Sequence, residues 1–161
     1  TILLKAFPEA AREKTAGGWT PLHRLLCFHY QFRNRNTSLD ILQKVLHEWL
    51  KAKENRSSHS VNSVISDVES AKYYSIRGEA KELLRHLSVL FEEEKESNSR
   101  PREIMTYFIS TSWWDGVWWV IHRHPSIVAT MDLETTTNAA FLSKAGKRLS
   151  VGNMMEIIKN E

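Results

Sequence analysis

One cysteine and two nearby histidines are the residues that could support nucleophilic chemistry. Cys27 is the single cysteine of the 161-residue chain, with His29 two positions after it and His23 four positions before it. A Cys–His nucleophile needs an exposed, electropositive setting and a third residue that orients the histidine. The neighbours Leu25 and Leu26 instead favour burial. We therefore predict an inert, buried thiol.

A second pair of histidines, His122 and His124, suggests a metal site. Two residues that are two positions apart on a helix project about 200° apart, so they cannot share an ion. His124 also aligns with Phe7 and Trp49 near the ends of other helical segments, which predicts a packing role. The chain has no glycine-rich phosphate loop and no C-x-x-C motif. We predict no catalytic residue, no metal, no cofactor and no small-molecule substrate.

The composition, with 42% hydrophobic and 25% charged residues, is typical of a folded globular protein. No apolar run approaches the ~18 residues that span a bilayer, so we predict no membrane partner. A lone cysteine fits a reducing compartment, and we expect an intracellular, cytoplasmic location. The net charge of +3 is mixed along the chain rather than gathered on one face, which argues against a nucleic-acid partner. The cations that such a partner would contact are Arg33, Arg35, Lys51, Lys53 and Arg56.

Pairs of adjacent aliphatic residues recur near the ends of helical patterns. The steps between them are irregular but typical of helical-hairpin repeats. The segments 38–49 and 150–161 align without a gap and place their matching apolar residues on one helix face. Both ends of the chain lie in helical patterns, and we expect it to be part of a longer protein. The five pairs are Leu3-Leu4, Val45-Leu46, Val89-Leu90, Val120-Ile121 and Ile157-Ile158.

Periodicity and capping signals predict helices and no strand. The sequence TSLD, residues 37–40, predicts an N-cap, and Ser112 followed by Asp115 predicts another. Pro101 and the polar residues before it predict a break, and 53–60 is predicted to be a mobile loop. The predicted helices are 20–30, 38–52, 61–76, 78–96, 102–111, 113–124, 138–145 and 150–161.

The sequence GWTPLH, residues 18–23, resembles an ankyrin repeat, with AFPEAAREK before it and LDILQKVL after it. It is similar to the divergent ankyrin-repeat proteins of unicellular algae. The resemblance implies that Gly18 lies in the turn of a protruding finger and that Leu22 enters the core. It also implies that Thr20 caps the first helix, Pro21 occupies its first position and His23 forms a local hydrogen bond.

The implied fold is an all-α solenoid of stacked helical hairpins within a single domain, 1–161. We expect the end of a preceding repeat and its finger at 1–19, and the best-matching repeat at 20–52. Residues 53–100 are either a degenerate repeat or a helical insertion. Two further degenerate repeats follow at 101–137 and 138–161.

The implied function is a non-catalytic scaffold for protein–protein interaction. Contacts would come from the finger, residues 15–19, and the exposed side of the first helix, at Arg24 with Cys27 or His29. One alternative is a regulatory or targeting segment of a larger enzyme. The other is a weakly basic helical repeat that binds nucleic acid. The candidate partner-binding residues are Trp19, Arg24, Trp118 and Trp119.

The tryptophan-rich segment 112–125 contains the least expected residue. Aligned on the aliphatic pairs, Trp119 falls with Lys44 and Glu156, positions that should face water. Two interpretations remain open. The 78–96 helix covers Trp119, through Phe91 for example, or the indole anchors a partner.

Overall fold

The computed structural model describes residues 6–28, 35–71, 76, 78–92 and 99–127, which form six α-helices and no β-strand. The all-α prediction is therefore confirmed for these residues. No helix among them combines the length and the apolar character needed to span a bilayer. The helices are α1 (Pro21–Phe28), α2 (Arg35–Leu50), α3 (Ser58–Ser70), α4 (Gly78–Leu90), α5 (Ser99–Ser110) and α6 (Trp114–Arg123), with 3₁₀ helices at Pro8–Ala11 and Lys53–Asn55.

The chain divides into two compact units, Thr1–Glu94 and Lys95–Glu161. The first unit contains α1 to α4, and the second contains α5 and α6. The assignment of both units to one repeat domain stays a prediction. The helices predicted at 138–145 and 150–161 lie outside the described residues.

The first unit is built from two consecutive helix pairs. Helix α1 packs against α2, and α3 packs against α4. The pairs also contact each other in register, since α1 packs against α3 and α2 packs against α4. The 3₁₀ helix Pro8–Ala11 packs on α1 and α2 and buries Ala11. Burial of the apolar stripes between neighbouring pairs supplies most of the stabilisation.

The recurring aliphatic pairs lie in the cores of the units. Val45 and Leu46 of α2 are buried, as are Val120 and Ile121 of α6. In the third described pair Leu90 is buried and Val89 is half-buried. The pairs at the two ends of the chain lie outside the described residues. The periodicity therefore identified core positions correctly wherever it is tested.

The segment 53–60 contains the 3₁₀ helix Lys53–Asn55 and the first residues of α3, so it is not the loop that the sequence predicts. The Arg56 guanidinium donates to the carbonyl oxygens of Leu50 and Lys51, at 2.6 and 2.9 Å, which caps the end of α2. Ser57 then accepts a hydrogen bond from the Ser60 N–H at 3.0 Å and caps the start of α3. The free backbone groups at the end of α2 and at the start of α3 therefore have side-chain hydrogen-bond partners.

The turn between α5 and α6 is a Schellman motif, and it contradicts the predicted N-cap at Ser112. The Trp113 N–H donates to the carbonyl oxygen of Phe108 at 2.8 Å, and the Ser112 N–H donates to the carbonyl oxygen of Ile109 at 2.9 Å. Ser112 has a φ of 56°, in the left-handed region, so it ends α5 instead of beginning α6. The N-cap of α6 is Trp113, which forms no side-chain capping bond.

In the described part of the second unit, α5 and α6 pack against each other and bury the indole of Trp113. Trp113 is buried and packs edge-on against Phe108, with ring centroids 4.7 Å apart. Gly116 lies against the same indole, because a Cβ at this position would come within 2.3 Å of the Trp113 ring. Glycine is therefore required here by close packing, while its backbone is ordinary helix.

Other helix boundaries differ from prediction by a few residues. Helix α2 begins at Arg35, so TSLD lies within the helix and is not its N-cap. Helix α5 begins at Ser99 and holds Pro101 in its first turn, where a missing N–H breaks no hydrogen bond. Helix α3 spans Ser58–Ser70, earlier than the predicted 61–76. Ser, Thr and Pro suit a first turn as well as a cap, and this ambiguity causes the errors.

Candidate partner-binding surface

A short closed turn precedes α1 and presents Trp19. The Thr15 N–H donates to the Trp19 carbonyl at 2.9 Å, and the Gly18 N–H donates to the Thr15 carbonyl at 2.8 Å. The Thr15 hydroxyl accepts a third bond, from the Trp19 N–H at 3.2 Å. Gly18 has a φ of +80°, which explains why glycine occupies this position. Three hydrogen bonds thus fix the backbone that carries the indole.

The residues Thr20, Pro21 and His23 form the start of α1. The carbonyl of Thr20 accepts the Arg24 N–H at 3.3 Å, as an N-cap carbonyl does. Pro21 is the first residue of the helix and Leu22 is fully buried. His23 Nδ1 accepts the Thr20 N–H at 3.0 Å and lies 2.8 Å from Thr20 Oγ1. The local hydrogen bond expected for His23 is therefore present.

This geometry fixes the tautomer of His23. Because Nδ1 accepts a backbone N–H, it is the unprotonated nitrogen, and the neutral ring carries its proton on Nε2. Nε2 lies 3.4 Å from Oδ2 of Asp67 on α3, which is long for a hydrogen bond. Burial lowers the pKa of His23, the carboxylate of Asp67 opposes that effect, and the charge of Lys14 adds to it. The imidazole is a neutral link from α1 to α3.

Thr20, His23 and Asp67 are connected in the same order as the nucleophile, base and acid of a catalytic triad. Their surroundings indicate a structural role instead. Thr20 is 3% exposed and His23 is 4% exposed, so a substrate cannot reach the hydroxyl. The base nitrogen is also occupied by the backbone N–H of Thr20. A working triad needs an accessible nucleophile and a free base.

Trp19 and Arg24 lie together at the surface beside this link. The Trp19 and His23 ring centroids are 5.8 Å apart, and Arg24 Cζ lies 5.4 Å from the centroid of the Trp19 ring. Trp19 is half-exposed, whereas Arg24 and the neighbouring Lys14 are exposed. We call Lys14, Trp19 and Arg24 the Trp19 surface.

The tryptophans of α6 differ from one another in exposure. Trp118 is half-exposed and stacks on the exposed His122, with centroids 5.8 Å apart. Trp119 is 8% exposed, which favours packing over a role as a surface anchor. Its contact with the 78–96 helix stays a prediction. Trp114 is buried.

Cys27 and His124 have the surroundings that the sequence predicts. Cys27 is buried, as predicted for an inert thiol, and burial raises the pKa of its thiol. The expectation that Cys27 contacts a partner from the exposed side of the first helix is therefore wrong. His124 is half-buried at the end of α6, and burial lowers its pKa. His29 lies outside the described residues. No group of three or more His, Cys, Asp or Glu residues in the described parts of the chain could hold a metal ion.

The cations proposed for nucleic-acid binding do not form one free surface in the described structure. Arg56 caps α2 through two carbonyl oxygens, and Lys51 pairs with Glu48 at 2.8 Å. Lys53 is exposed. Arg33 lies outside the described residues, as does the side chain of Arg35.

Asp67 is the residue of this site that the sequence did not identify. It lies on α3, in the next helix pair, and reaches His23 only because α1 and α3 stack. No spacing or motif in the sequence links the two residues. Comparison of the chain with known protein families, curated proteins and solved structures gives no match.

Proposed function

We propose that this chain is a non-catalytic protein-binding scaffold built from ankyrin-like helical repeats. The observation that supports this function best is the in-register packing of two helix pairs, α1 with α3 and α2 with α4. Stacked pairs of this kind bury their apolar edges against each other and keep a rigid outer surface for a partner. On this proposal, residues 53–100 contain a degenerate repeat, because α3 and α4 continue the packing of α1 and α2.

The start of α1 supplies the rigid contact residues of the proposed scaffold. The hydrogen bonds of Thr15, Thr20 and His23 fix the backbone on both sides of Trp19. A side chain that is already ordered loses less conformational entropy when a partner binds. Trp and Arg are also the residue types that most often dominate the binding energy of protein interfaces. Trp19 and Arg24 are therefore the proposed anchors, and Trp118 offers a second aromatic contact.

We place this function in the cytoplasm. The single cysteine, Cys27, cannot form an internal disulfide and is buried as a free thiol. A structure that does not depend on disulfides suits a reducing compartment.

Affinity capture with matched variants tests the scaffold function. The tagged chain, its Trp19→Ala/Arg24→Ala variant and a Lys53→Ala control are incubated with cell lysate, and the retained proteins are quantified by mass spectrometry. We expect the same proteins with the parent chain and the control, and their loss with the double variant. Circular dichroism checks that all three chains are equally folded. Retention of no protein above the bare matrix, or retention that nuclease treatment abolishes, would contradict the proposal.

A further inference from the structure

We propose that the Trp19 surface, residues Lys14, Trp19 and Arg24, binds an acidic peptide segment in which carboxylates lie beside an apolar side chain. This inference rests on the proposed scaffold function and names the chemistry of the partner. It is supported by a comparison of the cations in the first unit that form ion pairs with those that do not.

Five of the nine cationic side chains that the structure describes in the first unit are already bound within the chain. Each of four side chains pairs with a carboxylate that lies close to it in the sequence or on the adjacent helix, and a fifth, Arg56, is bound by backbone carbonyls. The four ion pairs are Lys44–Asp40, Lys51–Glu48, Lys81–Glu69 and Arg85–Glu82.

Four exposed cations of the first unit have no ion pair among the described residues, namely Arg12, Lys14, Arg24 and Lys53. Two of them belong to the Trp19 surface. Lys14 and Arg24 are both exposed, and neither has a carboxylate within ion-pair distance among the described residues. Glu9 and Glu13 lie in the same part of the chain but pair with neither cation. The nearby Asp67 faces the ring of His23. Arg24 beside the indole, and Lys14 directly before the turn that carries it, are thus left for a carboxylate from outside.

The geometry of Arg24 suits this role. Its guanidinium carbon lies 5.4 Å from the centroid of the Trp19 ring, a cation–π contact that restrains the side chain. A guanidinium over an aromatic face keeps in-plane N–H donors for a carboxylate, which it binds through two parallel hydrogen bonds. The half-exposed indole next to it provides apolar surface. A segment with an acidic and an apolar residue side by side matches both features.

Lys14 adds its charge at the same place. Lys14 directly precedes Thr15, whose N–H donates to the Trp19 carbonyl at 2.9 Å, so the lysine lies in the same part of the chain surface as the indole. A carboxylate at this surface would benefit from both cations.

The charges around the Trp19 surface favour a peptide over a nucleic acid. A phosphate backbone is a continuous line of negative charge, and binding it requires many cations along one path. Here the exposed carboxylate of Asp67, which lies 3.4 Å from His23 Nε2, interrupts such a path. Separate carboxylates on a peptide can meet the two cations and avoid this acidic residue.

Fluorescence anisotropy tests the inference with a fluorescein-labelled peptide of interspersed Glu and Leu residues. Its twin carries Gln in place of every Glu, and a third peptide carries Lys. The parent chain should bind the Glu peptide and not the Gln twin. Arg24→Glu should weaken that binding about 10- to 100-fold, the usual effect of losing a charge-assisted hydrogen bond. It should also create binding to the Lys peptide. Lys53→Glu, the same charge change at an exposed cation outside the Trp19 surface, should alter neither.

Three results would overturn the inference. They are no binding of the Glu peptide, equal binding of the Gln twin, and unchanged affinity in Arg24→Glu. A single-stranded RNA that binds in an Arg24-dependent way while the Glu peptide does not would also overturn it. The capture experiment decides the scaffold function separately. If captured proteins survive the Arg24→Glu substitution, the scaffold proposal stands and the acidic-peptide inference fails.

Discussion

Replacement of His23 by alanine should destabilise the first unit by about 2 kcal/mol. The substitution leaves the buried Thr20 N–H without its acceptor, which costs roughly 1–3 kcal/mol, and removes the ring contact with Trp19. For a unit of roughly 100 residues, that loss corresponds to a decrease of about 8–16 °C in melting temperature. His23→Asn is the matched control, because its amide oxygen can replace Nδ1 as the acceptor of the Thr20 N–H.

The same link should make stability depend on pH. Burial lowers the pKa of His23 from its ordinary value of 6.5, so the unfolded chain binds the proton more readily than the folded chain. The contribution of the neutral ring is therefore fully present above pH 6.5 and is lost as the pH falls below it. The slope cannot exceed roughly 1.4 kcal/mol per pH unit for one proton. His124 also has a lowered pKa and titrates in the same direction, so only the difference from a His23 variant isolates His23.

Urea unfolding monitored by circular dichroism, repeated between pH 5 and pH 8, measures both effects. The parent chain should lose stability below pH 6.5 more steeply than His23→Asn, and His23→Ala should be weaker than the parent chain above pH 6.5 by a margin that narrows as the pH falls. If the stabilities of the parent chain and His23→Asn change in parallel with pH, folding does not lower the pKa of His23 and this prediction is wrong. If His23→Ala unfolds at the same urea concentration as the parent chain, the hydrogen bond to Thr20 contributes no stability.

Three further substitutions test the connections between helices. Gly116→Ala should cost about 1–3 kcal/mol in urea unfolding, because its Cβ would overlap the Trp113 ring; unchanged stability would refute the packing assigned to this core. Ser112→Gly should stabilise the chain by about 0.5–1 kcal/mol through relief of the left-handed φ, and thermal unfolding that shows a loss would contradict the Schellman assignment. Arg56→Ala should cost about 1–2 kcal/mol by removing the cap of α2, and amide hydrogen exchange should accelerate at the end of that helix and not elsewhere in the first unit.

Sequence patterns predicted the elements of the fold better than their boundaries. The spacing of Leu42, Val45 and Leu46 fixes the buried face of α2, because only one face of a helix can carry residues at steps of three and four. The capping signal at Ser112 failed, because Ser112 adopts a backbone conformation that serine seldom takes. The conformation of Ser112 depends on the packing of Trp113 against Phe108, and no local sequence pattern predicts that contact.

The candidate site was predictable only where its contacts are local. Thr20 and His23 are three residues apart, and the motif that contains them predicts their hydrogen bond. The contact between His23 and Asp67 depends on the stacking of α1 and α3. The burial of Trp119 likewise depends on tertiary packing. Composition made 53–60 resemble a solvated loop, because its polar side chains are the same types that cap helices.

The cap at the end of α2 makes chain length critical between the two helix pairs. Asn55 and Arg56 each reach back six residues, to the carbonyls of Trp49 and Leu50. A residue inserted between Lys51 and Asn55 would carry both donors away from their acceptors. Insertions are usually tolerated best in polar surface connections, yet here a single added residue should uncouple the second helix pair from the first.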